Sequence, residues 1–411
     1  MSTSRMSGFA GLAPAGLPSR GVDRWLGALL LRRFGEAPLR FELGDGTVLL
    51  TPHERPVATI VLADRRELVP LVWDPETHFG DAYASGRIDV EGDLVAGVIA
   101  AYRAVGRLRR APWGGHSLRA SRVNVHRHYD LGNDFYRLWL DGDLVYTCAY
   151  FERPEATLEE AQAAKLDYVC RKLHLQPGET VVEAGCGWGA LALYMARHYG
   201  VRVKAYNLSR EQIGYARERA ARDGLDRRVE FVEQDYRAIE GRYDAFFSVG
   251  MLEHVGLNRF GDLGRVIDRC LDPERGRGLL HFIGRDHPGS LNAWIRKRIF
   301  PGAYPPTLSE AAEHVLQPAR VSIQDVENLR LHYARTLSHW RERFEQAVDR
   351  VTDRYGEPFA RAWKLYLAGS EAAFLSGSMQ LFQVLFARPS SPEIPWTRAG
   401  LYSSGTANGE L

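Results

Sequence analysis

The 411-residue chain has few cysteines, little net charge and no long apolar run, and each of these absences excludes a class of protein. The four cysteines, Cys148, Cys170, Cys186 and Cys270, are far apart and include no Cys-x-x-Cys pair. This spacing argues against a disulfide framework or a zinc site and favours a cytoplasmic protein without a bound metal. A formal charge of +2 does not indicate a nucleic-acid binder. No apolar run has the length that a membrane-spanning helix requires.

Composition divides the chain into five parts. Residues 1–20 are rich in Ser, Gly, Ala and Pro, lack the apolar segment of a signal peptide and predict a disordered tail. A second disordered tail is predicted over 389–411. Two domains are predicted, at 21–105 and at 126–388, and a basic linker over 106–125 separates them. Seven arginines and no acid lie between Ala101 and His128. Such a linker is usually only solvated, and the alternative is contact with anionic phospholipid headgroups.

The region 21–105 predicts a small α+β domain that is a candidate for lipid binding. The pair Asp45-Gly46 separates two strand-like runs, 39–43 and 47–51, and therefore predicts a hairpin. Another strand-like run covers 57–62. Residues 22–34 predict a helix that either packs in a core or lies at a membrane interface, and the pattern fits both equally well.

From residue 160 onward strand and helix patterns alternate, which predicts a parallel sheet. After the strand that contains Glu183, further strands are expected near 201–206, 229–234, 243–249 and 278–283, and Ser209 is a natural helix N-cap. Ligands of such folds bind at the carboxyl ends of the strands. The polar residues expected there are Glu183, Asn207, Asp235, Glu253 and His281.

Residues 180–190, TVVEAGCGWGA, are the most informative segment of the chain. A β-branched run that ends in alternate glycines predicts a strand and a tight turn, and the apolar residues after it predict a helix. Gly185, Gly187 and Ala190 fit the fingerprint of a dinucleotide site, but Asn207 stands where that fingerprint expects a carboxylate. The segment also fits the Glu-x-Gly-x-Gly-x-Gly loop of S-adenosylmethionine (AdoMet) methyltransferases, which we favour. A dinucleotide site and a purely structural turn remain the alternatives.

Six short blocks follow one another in a characteristic order: 128–136 (HYDLGNDFY), 146–151 (YTCAYF), 185–189 (GCGWG), 250–256 (GMLEHVG), 299–302 (IFPG) and 332–337 (HYARTL). In these blocks the chain resembles the cyclopropane-fatty-acid-phospholipid synthases and the mycolic acid cyclopropane synthases. The resemblance covers residues 120–388, and residues 21–105 resemble the N-terminal domain of the bacterial phospholipid enzymes.

The resemblance implies a fold, a reaction and partners. The implied fold is α/β, a class I AdoMet methyltransferase Rossmann-like sheet with helical lipid-binding insertions and a small N-terminal α+β domain. The family transfers the methyl group of AdoMet to a cis double bond of an acyl chain, and loss of a proton then closes a cyclopropane ring. The resemblance further implies an unsaturated phospholipid substrate in a bilayer, peripheral contact with the cytoplasmic face of the membrane, and a homodimer.

The resemblance also implies the catalytic residues. The family uses a bound bicarbonate ion as base, and the matching residues here are Cys148, Glu253, His281, Ile283 and Tyr333. Backbone donors at Cys148 and Ile283, the Tyr333 hydroxyl and a His281 oriented by Glu253 suit a small oxyanion. The Glu253 carboxylate would repel a bound bicarbonate ion unless His281 is protonated, or unless Glu253 and the anion share a proton.

For AdoMet, the resemblance implies a cap over the cofactor, the glycine loop around the methionine and ribose, and an adenine contact. The matching residues are Tyr146, Thr147, Glu183, Gly185, Gly187, Trp188, Gly189, Asn207, Leu208, Gln212, Asp235 and Tyr236. Thr147, Leu252 and Asn207 depart from the family's usual Ser, Phe and Thr, and Leu252 removes an aromatic ring beside Glu253. The alternatives are methyl transfer without ring closure, a sphingolipid or carrier-bound acyl substrate, and a non-catalytic lipid-binding protein.

Overall fold

A computed structural model describes residues 21–35, 37–105, 131–392 and 394–402. The tail predicted at 1–20 and the basic linker predicted at 106–125 lie outside the described residues. The chain divides into two compact units, Met1–Leu108 and Arg109–Leu411.

The first unit is a four-stranded sheet with helices packed against it. The strands are β1 (Leu39–Leu43), β2 (Val48–Leu50), β3 (Ala58–Leu62) and β4 (Ile88–Gly92), in the spatial order β2-β1-β3-β4. The helices are α1 (Gly21–Phe34), α2 (Leu68–Trp73), α3 (Pro75–Ala84) and α4 (Leu94–Val105), and a 3₁₀ turn covers Arg65–Glu67. Strands β1 and β2 are antiparallel, β1 and β3 parallel, and β3 and β4 antiparallel.

Two sequence predictions are confirmed in this unit. The Asp45-Gly46 hairpin joins β1 to β2, and Gly46 has a φ of +83°, which glycine adopts without steric cost. The helix predicted over 22–34 forms as α1. Its residues Leu26, Leu30 and Phe34 recur every fourth position and lie in the apolar core, so one face of α1 is a core face.

The second unit contains a seven-stranded sheet in the order β10-β11-β9-β8-β5-β6-β7. Its strands are β5 (Thr180–Ala184), β6 (Arg202–Asn207), β7 (Val229–Glu233), β8 (Ala245–Val249), β9 (Arg277–Gly284), β10 (Ser322–Asn328) and β11 (Gln380–Ala387). The five predicted strands form and are parallel to one another. The prediction of a parallel sheet is wrong for β11, which pairs antiparallel with both β9 and β10 and was not foreseen.

Helices cover the sheet and fill the connections between its strands. They are α5 (Asn133–Tyr136), α6 (Leu158–Lys172), α7 (Ala190–His198), α8 (Arg210–Arg222), α9 (Leu252–Val255), α10 (Phe260–Cys270), α11 (Leu308–Ala311), α12 (Arg330–Gln346), α13 (Val348–Tyr355), α14 (Glu357–Leu375) and α15 (Ala399–Tyr402). Short 3₁₀ turns lie at Tyr236–Ala238 and Leu257–Arg259, and π-helical turns at Ile295–Ile299 and Ala312–Leu316. Ser209 is the N-cap of α8, as predicted, because its hydroxyl accepts the Gln212 N–H.

The C-terminal segment departs from the prediction of a disordered tail from residue 389. Residues 389–392 and 394–402 are described, and the latter end in α15, where Leu401 is buried. Arg171 on α6 donates to the Leu401 carbonyl, and Arg398 pairs with Asp325 on β10 at 2.5 Å. These contacts with helix α6 and with strand β10 order a stretch whose Pro- and Ser-rich composition alone indicates disorder.

None of the helices in the described part of the chain is both long enough and apolar enough to cross a lipid bilayer.

Candidate active site

The glycine loop between β5 and α7 has three glycines in the left-handed region of the backbone. Gly185, Gly187 and Gly189 have φ values of +89°, +53° and +82°. A Cβ at Gly189 would lie 2.5 Å from the ring of Phe231, and one at Gly185 would lie 3.0 Å from Met251. A Cβ at Gly187 would meet no atom within 4 Å. Two of the glycines therefore permit close packing, and Gly187 leaves the backbone open to a ligand.

Strand β6 fixes this loop through its last two residues. The Tyr206 carbonyl accepts the N–H groups of Gly185 and Cys186 at 2.9 and 3.1 Å. The Asn207 amide donates to the Gly187 carbonyl at 3.3 Å and to Gln212 Oε1 at 2.7 Å. Asn207 thus replaces the carboxylate of a dinucleotide site with a side chain that ties the loop to α8.

A cavity of about 140 Å³ opens beside the loop. Eight of the twelve residues predicted to bind the cofactor line it: Tyr146, Thr147, Glu183, Gly185, Gly187, Trp188, Asn207 and Gln212. Its wall also includes Lys165, Gly250, Met251 and His254, which were not predicted. Gly189, Leu208, Asp235 and Tyr236 are not part of the wall, so the structure brings most of the predicted cofactor residues together but not all of them.

Asp235 was expected to accept a hydrogen bond from the adenine amino group, and in the structure its carboxylate pairs with Arg237. Arg237 Nε donates to Asp235 Oδ1 at 2.6 Å and Nη2 donates to Oδ2 at 2.9 Å. The neighbouring Tyr236 is buried, and its hydroxyl has no hydrogen-bond partner. An adenine contact at Asp235 would have to share the carboxylate with the guanidinium.

Opposite charges are buried in the cavity wall. Glu183, 3% exposed, has one carboxyl oxygen without a partner, and Lys165 Nζ donates to Thr147 Oγ1 at 2.9 Å. Burial raises the pKa of Glu183 to about 8, and the charge of Lys165 partly offsets this shift. Burial lowers the pKa of Lys165 to about 8, and Asp141, followed by Cys148 and Glu183, partly offsets that shift. An unpaired acidic oxygen and a buried ammonium group suit a zwitterionic ligand such as the methionine end of AdoMet.

The predicted catalytic residues Glu253 and His281 lie directly beside this cavity. Gly250 and His254, which flank Glu253, line the cavity, and the Gly250 N–H donates to the His281 carbonyl at 2.8 Å. Ile283 N–H donates to Glu253 Oε1 at 3.5 Å, whereas Glu253 Oε2 and His281 Nε2 are buried without partners. Two orphaned buried polar atoms of this kind fit a small polar ligand such as bicarbonate.

One predicted contact in this group is wrong. Glu253 was expected to orient His281, but the His281 ring is held by Gln383, whose Nε2 lies 3.0 Å from His281 Nδ1. Burial raises the pKa of Glu253 to about 7. Burial, with the charges of Lys165 and Lys172 adding to it, lowers the pKa of His281 well below its usual value. A carboxylate beside an anion requires either a protonated His281 or a proton shared between Glu253 and the anion. These pKa shifts favour the shared proton on Glu253.

Cys148 and Tyr333 are held together by the start of α12. The Cys148 thiol contacts the carbonyls of Ala149 and Leu329 at 3.1 and 4.0 Å, and Tyr333 N–H donates to the same Leu329 carbonyl at 3.1 Å. Burial raises the pKa of the Cys148 thiol, so the thiol stays protonated. Tyr333 packs its ring against Phe374. Leu329 N–H in turn donates to the Leu381 carbonyl on β11, and Leu381 pairs with Ile283, so this group lies near the carboxyl end of β9.

Two of the departures from the family pattern gain a structural meaning. The Leu252 side chain is 1% exposed and packs in an apolar core of the second unit. Leucine in place of phenylalanine at this position therefore changes core packing and not an open binding surface. Thr147 accepts the hydrogen bond from Lys165, a role that the hydroxyl of serine can also fill.

Lys165 was missed although the sequence contains a signal for it. Helix α6 buries Leu158, Ala161, Lys165, Val169 and Lys172 along one helical face, and two of these residues are charged. A lysine at a core position of an amphipathic helix indicates a buried partner. Gln162, on the same helix, donates to the carbonyls of Val145 and Thr147, so α6 fixes the loop that covers the cavity.

The chain is similar to known proteins along most of its length. The family model "Mycolic acid cyclopropane synthetase" matches residues 116–384. A probable fatty acid methyltransferase of Pseudomonas putida is 35% identical over 389 residues, which cover 89% of this chain and 96% of that protein. The cyclopropane-fatty-acyl-phospholipid synthase of Escherichia coli strain K12 is 42% identical over 262 residues, 64% of this chain and 66% of that protein.

A solved structure is similar as well. Mycolic acid cyclopropane synthase CmaA1, complexed with SAH and CTAB, superposes with a TM-score of 0.61 at 31% identity and covers 65% of this chain and 98% of its own.

Proposed function

The chain belongs to the mycolic acid cyclopropane synthetase family and is an AdoMet-dependent methyltransferase with the class I fold. We propose that it transfers the AdoMet methyl group to the cis double bond of an unsaturated phospholipid acyl chain, and that loss of a proton then closes a cyclopropane ring. The observation that carries this proposal is the pair of buried, unpartnered atoms, Glu253 Oε2 and His281 Nε2, beside the glycine-loop cavity.

The cavity residues suit the cofactor by their chemistry. Bound AdoMet would supply a methyl group activated by a sulfonium centre. Glu183 and Lys165 would hold its charged methionine end, the open face of Gly187 would admit its backbone contacts, and Asn207 and Gln212 would face the ribose. The buried surroundings exclude water, which matters because a cationic acyl intermediate reacts with water.

The second group of residues suits the removal of a proton. Bound bicarbonate would supply a small base close to the added methyl group. Glu253, His281, the backbone at Cys148 and Ile283, and Tyr333 would hold it. Glu253, whose pKa is raised to about 7 by burial, can carry a proton at neutral pH and so donate to an anion instead of repelling it.

A matched pair of variants tests the site assignment. We expect Glu253→Gln to reduce transfer of labelled methyl from AdoMet to cis-unsaturated phospholipid vesicles by roughly 10²-fold or more. Glu155→Gln, at an exposed loop position, should leave the rate unchanged. An unchanged rate in Glu253→Gln would contradict the assignment. Activity only on a sphingolipid or a carrier-bound acyl chain would contradict the phospholipid substrate.

Methyl transfer without ring closure is the second candidate function. The Pseudomonas putida relative, of which 96% is matched, is described as a probable fatty acid methyltransferase. The same cationic acyl chain can lose a different proton and become a methylene- or methyl-branched chain. Mass does not separate the ring from the methylene product because both add one CH₂, so proton NMR of the product lipid is required.

We further propose that the first unit contacts the cytoplasmic face of the membrane peripherally. Trp25 on α1 and Val69 and Trp73 on α2 are 57%, 51% and 87% exposed, and the two helices pack against each other. Tryptophan favours the interfacial region of a bilayer. The Trp25→Ser/Trp73→Ser double variant should lose flotation with phospholipid vesicles, whereas Trp396→Ser, which removes an exposed tryptophan from the second unit, should not. Equal flotation of all three proteins would contradict this proposal.

The homodimer stays a prediction from the resemblance, and light scattering of the purified chain would test it.

A further inference from the structure

A row of four polar side chains runs through the second unit behind His281. We call Glu327, Lys172, Gln383 and His281 the polar row. Strand register places three of them side by side, because Glu327 on β10 pairs with Gln383 on β11, and Gln383 pairs with His281 on β9. Lys172, the last residue of α6, completes the row: its Nζ lies 2.5 Å from Glu327 Oε2 and 2.7 Å from Gln383 Oε1.

The row is buried where it approaches the site. Lys172, Gln383 and His281 are 2%, 1% and 2% exposed, so water cannot replace their mutual hydrogen bonds. Tyr168 also covers the Lys172 ammonium, with its ring centroid 4.5 Å from Nζ. Burial lowers the pKa of Lys172, and the carboxylate of Glu327 opposes that shift by stabilising the charged form.

The direction of each hydrogen bond in the row follows from the groups involved. A lysine ammonium only donates, so the atom of the Gln383 amide that faces Lys172 must be the oxygen. The Gln383 NH₂ group therefore faces His281 Nδ1, at 3.0 Å, and must donate to it. A ring nitrogen that accepts carries no proton. The proton of the neutral imidazole then lies on Nε2.

We propose that Lys172 and Gln383 are positioning residues that hold His281 as the neutral Nε2–H tautomer, so that it presents a hydrogen-bond donor to the site. His281 Nε2 is the buried ring atom without a partner, and an anion beside it would supply the missing acceptor. His281 is then neither an imidazolium nor a base. The proton lost from the acyl chain must be accepted elsewhere, at the anion that Glu253 and His281 would hold.

The charges around His281 support a neutral ring. Lys165 on α6 and Lys172 both act on it and, together with burial, lower its pKa well below the usual value. Glu327 lies on the far side of Lys172, where it neutralises the ammonium without contacting the ring. The inference rests on the proposed function for the identity of the anion, whereas the tautomer itself follows from the polar row alone.

Nitrogen NMR of the full chain tests the tautomer without any activity measurement. In protein labelled with ¹⁵N-histidine, long-range ¹H–¹⁵N spectra distinguish a protonated from an unprotonated ring nitrogen, and the His281→Gln variant identifies the His281 signals. We expect an unprotonated Nδ1 and a protonated Nε2 at neutral pH. A protonated Nδ1, in either the other tautomer or the imidazolium, would overturn the proposal.

Gln383→Glu tests the positioning role. A carboxylate at 383 accepts from both Lys172 and His281, so we expect the Nδ1–H form in the spectrum and a fall in kcat of roughly 10²-fold, with the KM for AdoMet unchanged. Gln324→Glu makes the same substitution on β10 outside the polar row, and it should change neither the His281 spectrum nor kcat. An Nε2–H ring in Gln383→Glu, or full activity with an Nδ1–H ring, would overturn the positioning role.

These measurements separate the two proposals. If the wild-type ring is Nε2–H but no lipid is methylated, the proposed function fails and the tautomer assignment stands. If lipid is methylated but the wild-type ring is Nδ1–H, the tautomer assignment fails and the proposed function stands. Should Gln383→Glu not fold, the wild-type spectrum alone decides the assignment.

Discussion

The stability of the Glu253→Gln variant relative to the wild type should depend on pH. Burial raises the pKa of Glu253 from 4.5 in a model compound to about 7 in the folded chain. The folded state therefore binds the Glu253 proton more tightly than the unfolded state does. Wild-type stability from this group is fully present below pH 4.5 and is lost as the pH rises to about 7. Glutamine does not titrate, so the variant escapes this loss.

The magnitude follows from the two pKa values. A shift of one pKa unit corresponds to about 1.4 kcal/mol, so the full penalty on the wild type is about 3 kcal/mol above pH 7. At pH 5.5 only about 1 kcal/mol of it has developed. The free energy of unfolding of Glu253→Gln minus that of the wild type should therefore rise by about 2 kcal/mol between pH 5.5 and pH 8.

Urea unfolding of both proteins at pH 5.5, 7 and 8 measures this difference. Because the other titrating groups are present in both proteins, the difference isolates Glu253. The control pair, wild type and Glu155→Gln, should show no pH-dependent difference, since Glu155 is exposed. A difference for Glu253→Gln that stays constant from pH 5.5 to 8 would show that the carboxyl group ionises normally, and the shared-proton role of Glu253 would be refuted.

Three further predictions concern the cavity. Gly189→Ala should destabilise the fold by roughly 2–5 kcal/mol, because φ is positive there and the new Cβ would overlap the Phe231 ring. Gly187→Ala should destabilise the fold by only about 1–2 kcal/mol, because φ is positive but no atom lies within 4 Å of the new Cβ. Thermal unfolding of the two variants measures the difference. Asn207→Ala should weaken AdoMet binding roughly tenfold by calorimetry, since it frees the loop carbonyl, and unchanged binding would contradict this. Lys165→Met should shift the pH dependence of AdoMet binding near pH 8, and an unaltered profile would exclude Lys165 from the site.

The sequence predicts the part of the site that local patterns encode. The glycine loop and the N-cap at Ser209 each depend on a short stretch of chain, and the structure contains them. Of the polar residues expected at the carboxyl ends of the strands, Asn207 ends β6 and Glu183 lies next to the end of β5, whereas Glu253 lies on α9 and His281 lies inside β9. Asn207 stands where a dinucleotide site has a carboxylate, and in the structure its side chain contacts the glycine loop and Gln212.

Contacts between distant segments could not be predicted in the same way. Strand β11 lies about a hundred residues after β9, and nothing local indicates that it inserts antiparallel between β9 and β10. The partner of His281 was therefore assigned to Glu253, which is near in sequence, instead of Gln383, which register places beside it. The contact that Asp235 makes in the structure could not be predicted either. Its partner Arg237 is two residues away, but a carboxylate that binds a neighbouring guanidinium and a carboxylate that binds a cofactor have the same sequence signature.

The most direct test of the proposed reaction is an NMR spectrum of phospholipid recovered after incubation with the purified protein and AdoMet labelled with ¹³C in its methyl group. The proposal predicts that the label enters a ring methylene group, whose protons resonate far upfield of other lipid signals. Label in a methylene or methyl branch would contradict ring closure, and lipid without label would contradict methyl transfer to phospholipid altogether.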